Sequence, residues 1–255
     1  MLIYTTHDGG AAVALYAPAS AVLPGGAGTL DVQTDYPFDD TVTVVVNNSG
    51  AKPMPLYLRV PTWATGATVD GQPAANGTMA KVQCPVGSST HTLELHPEIR
   101  LERWTRTDAT GTSNATSYSV HRGALMYSLP LGTNFTMYAH HFGTPDMSSD
   151  YFVTATTPWN YALVVDDPAD PAASLSFARA GYKPGSAPFN HSGWPTSIRA
   201  KARRLPGWVT AQNSAAPPPD SPACASPGAG CGEPEEVQLV PHGGTDLRMG
   251  ELPLA

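Results

Sequence analysis

Three cysteines, one histidine pair, a scatter of carboxylates and five tryptophans are the residues of this 255-residue chain with reactive or ligand-binding chemistry. A soft tetrahedral metal site needs thiolates held rigidly at short separations. Cys224 and Cys231 instead bracket a Pro/Gly loop, and Cys84 stands far from both. That spacing predicts a disulfide or free thiols at Cys224 and Cys231 rather than a metal site. Cys84 has no helix N-terminus or basic sequence neighbour to lower its pKa, so it reads as a small core residue and not a nucleophile. Adjacent His140 and His141 would point to opposite faces of a strand, the wrong geometry for two ligands on one metal, and read as a solvated loop pair. Glycoside hydrolysis ordinarily uses two carboxylates roughly 5 to 10 Å apart. The raw material is Asp35, Asp39, Asp40, Glu94, Asp166 and Asp167, most of it in turn contexts such as Asp39-Asp40 and Asp166-Asp167-Pro168. No phosphate loop, nucleophile-elbow serine or zincin helix occurs.

Exposed indoles stack sugar rings, so the tryptophans form a second candidate set. Trp63, Trp159 and Trp208 adjoin strand-like segments, where burial is the simpler reading. Trp194, in the proline-flanked loop FNHSGWP, is the one freest to contact a glycan.

The elements that must position these residues are strands. In LYLRVPTWA, Leu56, Leu58 and Val60 fall on one face at the two-residue period of a pleated strand, Tyr57 and Arg59 fall on the other, and Pro61 ends the ladder. Val42, Val44 and Val46 give another inward face. Asp8-Gly9-Gly10 and Asp70-Gly71 predict tight hairpin turns. Tyr118 to Leu129 reads as one strong strand, and SIRAKARRL (197–205) as a strand by length and bracketing prolines. The Thr/Ser/Gly/Asn stretch 105–117 reads as a connection, dividing the chain into residues 1–104 and 105–255. The stretch 213–236 lacks apolar periodicity and reads as a disordered surface insertion. The expected fold class is all-β, with two consecutive antiparallel, jelly-roll-like β-sandwich domains.

Composition agrees with that class. With 26 prolines and 24 glycines, helices of ordinary length have little room, while 41% hydrophobic residues suffice for a core. A net charge of -7 argues against nucleic acid or an anionic membrane as partner, and no apolar run is long enough to span a bilayer. The N-terminus lacks the pattern of a signal peptide. Five of the eight asparagines nevertheless begin N-x-[ST] sequons, Asn47, Asn76, Asn114, Asn134 and Asn190, which predicts passage of the parent protein through a secretory lumen.

In order and spacing, TDYPF and TVTVVV, then LYLRVPTWA, SVHRGALMYSL and LVPHGGTDLRMGELP, resemble the part of glycoside hydrolase family 127, the β-L-arabinofuranosidase-like family, that follows its catalytic barrel. In that family an N-terminal helical barrel holds a cysteine nucleophile among zinc ligands and a glutamate general acid. The resemblance therefore implies an accessory portion without catalytic residues or cofactor of its own, whose partner is a catalytic barrel, absent or supplied in trans by a separate chain. A stand-alone carbohydrate-binding or adhesion protein is the rival reading. The family commonly carries asparagine where Asp70 stands, and tyrosine and cysteine where His242 and Gly244 stand.

Overall fold

The computed structural model describes residues 2–107, 114–139, 149–181, 187–190, 193–225 and 230–255. They form strands and three single-turn 3-10 segments, with two compact units, Met1–Glu98 and Ile99–Ala255. The division falls six residues before the one expected, because Ile99–Thr107 is a strand of the second unit, paired along its length with Asn114–Arg122. Its Thr/Ser-rich end is polar on both faces, so the period that marks a half-buried strand is absent there.

In the first unit a four-stranded and a six-stranded sheet share one core. Met54–Val60 runs inside the smaller sheet, and Leu56, Leu58 and Val60 are buried as their alternation requires. It pairs antiparallel with Thr78–Cys84 and parallel with Ala11–Val13, so the sheet is mixed rather than wholly antiparallel. Val42, Val44 and Val46 of Thr41–Asn48 face the same core from the larger sheet. Gly87–Glu94 lies beside that strand along eight residue pairs. Asp70 and Gly71 both adopt positive φ, at 52° and 75°, the backbone of a two-residue hairpin turn whose twist matches the flanking strands.

The second unit is built on Ile99–Thr107, Asn114–Arg122, Leu125–Pro130, Pro234–Pro241, Thr196–Arg204 and Tyr161–Val164, hydrogen-bonded in that spatial order. The stretch expected as one strand from Tyr118 to Leu129 is two, folded back at Gly123, whose φ of 59° opens the turn and sets Arg122 opposite Leu125. The C-terminal residues link two strands that are not neighbours in this order, Asn114–Arg122 and Tyr161–Val164. Leu252 exchanges backbone bonds with Tyr118, and Pro253 and Ala255 bond to Leu163, enclosing Tyr127, Ile198, Leu239 and Leu254.

Parts of the segment 213–236 that sequence leaves unstructured are ordered by contacts. Ser214–Ala215 pairs with Thr210–Ala211, Asp220 Oδ1 accepts from Thr116 N at 2.7 Å, and residues 234–236 belong to Pro234–Pro241. Periodicity does not report this, because the anchors are single polar side chains rather than an apolar face.

Candidate functional site: a groove in the second unit

After Leu125–Pro130 the chain passes through Leu131 and Gly132 into a hairpin of Thr133–Ala139 with Asp150–Ala155. Gly132 pins the base of that hairpin. Its N–H donates to Thr157 Oγ1 at 2.9 Å and its carbonyl accepts from Thr156 N at 2.8 Å. A Cβ on Gly132 would stand 2.5 Å from Thr156 Oγ1, so any larger residue there would force the threonine side chains to shift. This base forms part of the lining of a groove of about 740 Å³, together with Phe135, Tyr161, Trp194, Gln238 and Asp246.

Trp194 is fixed in that groove. Its Nε1 donates to Gly244 O at 2.6 Å, and a Cβ on Gly244 would lie 2.6 Å from the indole Cδ1. The ring therefore seats on a bare backbone. Phe135 is half exposed and meets Tyr151 edge to face, with ring centroids 6.1 Å apart. Tyr161 is buried, its hydroxyl pushed above the ordinary phenol range by burial and then by Glu235, while Arg204 lies 5.2 Å over its ring. Gln238 and Asp246 are exposed, and neither side chain has a hydrogen bond or ion pair among the described residues. Among the described lining residues there is no lysine or arginine, and Asp246 is the single carboxylate. Glycoside cleavage ordinarily uses two facing carboxylates, and the described lining supplies one.

The other sequence-predicted residues go elsewhere. Cys224 and Cys231 form a disulfide with Cα atoms 5.9 Å apart. Cys84 is fully buried in the first core, and burial pushes its thiol above the usual range. Two of the three thiols are thus joined to each other, and the third is enclosed in the first unit. Asp39 caps its own turn through Asp40 N at 2.7 Å, and Asp167 does the same through Ala169 N at 2.8 Å. Trp208 is buried and Trp63 packs on the first core, whereas Trp104 is 46% exposed and donates to Ser119 Oγ at 2.8 Å. Asn47, Asn76, Asn134 and Asn190 expose their side chains, and Asn76 Nδ2 donates to Thr62 O at 2.7 Å. The Asn114 side chain, His140 and His141 lie outside the described residues.

Sequence reasoning passed over two features. Asp70, His91 and Cys84 form a hydrogen-bonded chain, with His91 Nδ1 2.7 Å from Asp70 Oδ2 and Nε2 3.5 Å from Cys84 Sγ. The 133–155 hairpin carries Phe135, Met137, Tyr138, Tyr151 and Phe152, all substantially exposed, with Tyr138 and Phe152 meeting at 4.8 Å. The aromatic density of these strands was the available signal.

The two all-β units are similar in fold to parts of larger solved structures, and the first also matches a family profile. Residues 10–95 match the sequence profile of the β-L-arabinofuranosidase GH127 middle domain. Among solved structures, a glycoside hydrolase is similar over 97% of this chain and 36% of its own, at 19% identity and a TM-score of 0.57. A GH127 β-L-arabinofuranosidase from Geobacillus stearothermophilus T6 is similar over 100% of this chain and 35% of its own, at 16% identity and a TM-score of 0.56. Another GH127 β-arabinofuranosidase is similar over 96% and 35%, at 14% identity and 0.53. The chain thus spans about a third of the length of these structures. No curated protein matches the sequence significantly.

Proposed function

We propose that this chain is the non-catalytic accessory β-sandwich portion of a β-L-arabinofuranosidase-like glycoside hydrolase and buttresses its catalytic barrel. The observation that carries the reading is the match of residues 10–95 to the GH127 middle domain, within a chain whose fold corresponds to about a third of such an enzyme. Hydrolysis then belongs to the barrel, and the sandwiches stabilise it by covering apolar surface. Exposed sequon asparagines and the Cys224–Cys231 disulfide support passage of the parent protein through an oxidising secretory lumen.

The test is an assay of the purified chain on an aryl β-L-arabinofuranoside, beside the same chain joined to a family 127 barrel. No turnover by the chain alone is expected, with activity and a raised melting temperature in the joined protein. Turnover by the isolated chain, abolished by a substitution within it, would overturn the assignment.

A further inference from the structure

We infer that the groove in the second unit is a binding site for an uncharged oligosaccharide, with Trp194 as the surface on which a sugar ring stacks. A saccharide offers an apolar C–H face and a rim of hydroxyls, and its binding sites pair an aromatic face with a few polar side chains. The groove supplies both parts. Trp194 lines it, with Phe135 as a second, half-exposed ring, and its volume of about 740 Å³ lies within the ordinary range for ligand sites.

The indole is set before any ligand arrives. Its one donor is bound to Gly244 O, and its ring rests where a side chain at 244 would stand. Little rotamer freedom is left to lose on binding. Asp246 and Gln238 supply the polar part. Among the described residues neither side chain has a partner, so the carboxylate is open to accept from hydroxyls and the amide both to donate and to accept.

Charge then selects within the class. With Asp246 as the one charged side chain among the described lining residues, the groove disfavours uronic or sulfated sugars relative to neutral ones. This inference rests on the accessory reading only for its first probe, an arabino-oligosaccharide. The two fail separately, since one is read by hydrolysis and the other by equilibrium binding.

The experiment titrates the whole 255-residue chain, by calorimetry and by tryptophan fluorescence, with arabino-oligosaccharides, xylo-oligosaccharides and oligogalacturonides. Saturable binding of at least one neutral series is expected, with the anionic series weaker. Trp194→Ala should weaken binding at least about tenfold. Because that change also removes the bond to Gly244, a melting curve accompanies it, and the exposed-site variants Asp246→Ala and Phe135→Ala provide an independent reading, each expected to weaken binding roughly threefold or more. Absence of saturable binding by every neutral series, tighter binding of the anionic one, or unchanged affinity in folded Trp194→Ala and Asp246→Ala would each overturn the inference. So would binding that disappears when the chain is joined to a catalytic barrel, which would make the groove a contact between domains.

Discussion

Asp70 grips His91 from the neighbouring strand end. Its Oδ2 lies 2.7 Å from His91 Nδ1, and its Oδ1 accepts from Thr92 N at 2.8 Å. The same residue turns the chain at φ 52°, a conformation that asparagine and aspartate tolerate better than other side chains. Asp70 thus serves two ends, a hairpin turn and an acceptor that orients an imidazole against the buried Cys84 thiol.

Replacing Asp70 separates those roles. Asp70→Ala loses the turn preference and both acceptors, and a stability loss of about 1 to 3 kcal/mol is expected, with the ionic share discounted because the carboxylate is 41% exposed. Asp70→Asn keeps the turn and the bond to Thr92, so it should lose about 1 kcal/mol or less. Urea unfolding of the two variants measures the difference. In the wild-type protein Cys84 should resist a thiol reagent until the first unit unfolds, because it is fully enclosed and its thiol is held protonated by burial.

The second unit contains an imidazole whose protonation opposes folding. His242 Nε2 accepts from Arg248 Nε at 2.9 Å, which places the ring proton on Nδ1, where it faces Ser128 Oγ at 2.7 Å. Burial, then the Arg248 charge, holds the His242 pKa below the ordinary imidazole value, and burial with Arg100 does the same for His121 against the opposing pull of Glu102. The unfolded chain takes up these protons near pH 6.5 while the folded chain resists them. Stability is therefore complete above about pH 6.5 and declines as pH falls from there towards the depressed folded values. Urea midpoints between about pH 7.5 and 5 should decrease, and His242→Gln should flatten part of that slope. An unchanged slope in the variant would remove His242 from the account.

Trp208 shows what burial alone is worth in this unit. It is 3% exposed, donates from Nε1 to Ala216 O at 2.8 Å and meets Trp159 edge to face at 5.1 Å. Trp208→Ala empties that volume and strips Ala216 O of its donor, for an expected loss of about 3 to 5 kcal/mol. Trp208→Phe keeps an aromatic body and loses the donor, for about 1 to 2 kcal/mol. Calorimetry should show the transition of the second unit moving more in the alanine variant than in the phenylalanine one.

Where one face of a strand is apolar, the chain announced its fold. Met54–Val60 and Thr196–Arg204 lie within a residue or two of where alternation places them, and Asp70-Gly71 makes the expected turn. Where both faces are polar the signal failed, as at Thr105–Thr107 and Asn114–Ser117, which are paired strand ends rather than a connection. The groove was legible only through Trp194. Gly132 is far in the chain from the stretch that holds Gln238, Gly244 and Asp246, and nothing local marks a residue whose importance is the approach of a distant backbone or ring. The His91–Asp70–Cys84 chain escaped notice for a related reason, since it depends on the register by which Gly87–Glu94 meets Thr68–Val69.

The disulfide separates contributions of the folded and unfolded chain. Both flanks of the Cys224–Cys231 loop are held by other bonds: Ser221 N donates to Thr116 O at 3.0 Å, Ala223 N to Leu254 O at 2.7 Å, and Gly232 N to Arg204 O at 3.0 Å. Removing the bridge leaves these anchors in place, so the native arrangement of the flanks should persist. What changes is the unfolded chain, which regains the freedom of a short loop worth about 2.5 kcal/mol on the loop-entropy estimate. The double variant Cys224→Ser with Cys231→Ser should therefore show a lower urea midpoint and an unaltered pattern of limited proteolysis under native conditions. New cleavage on either side of the loop at neutral pH would mean that the bridge, and not the backbone anchors to Thr116, Leu254 and Arg204, holds this segment against the sheet.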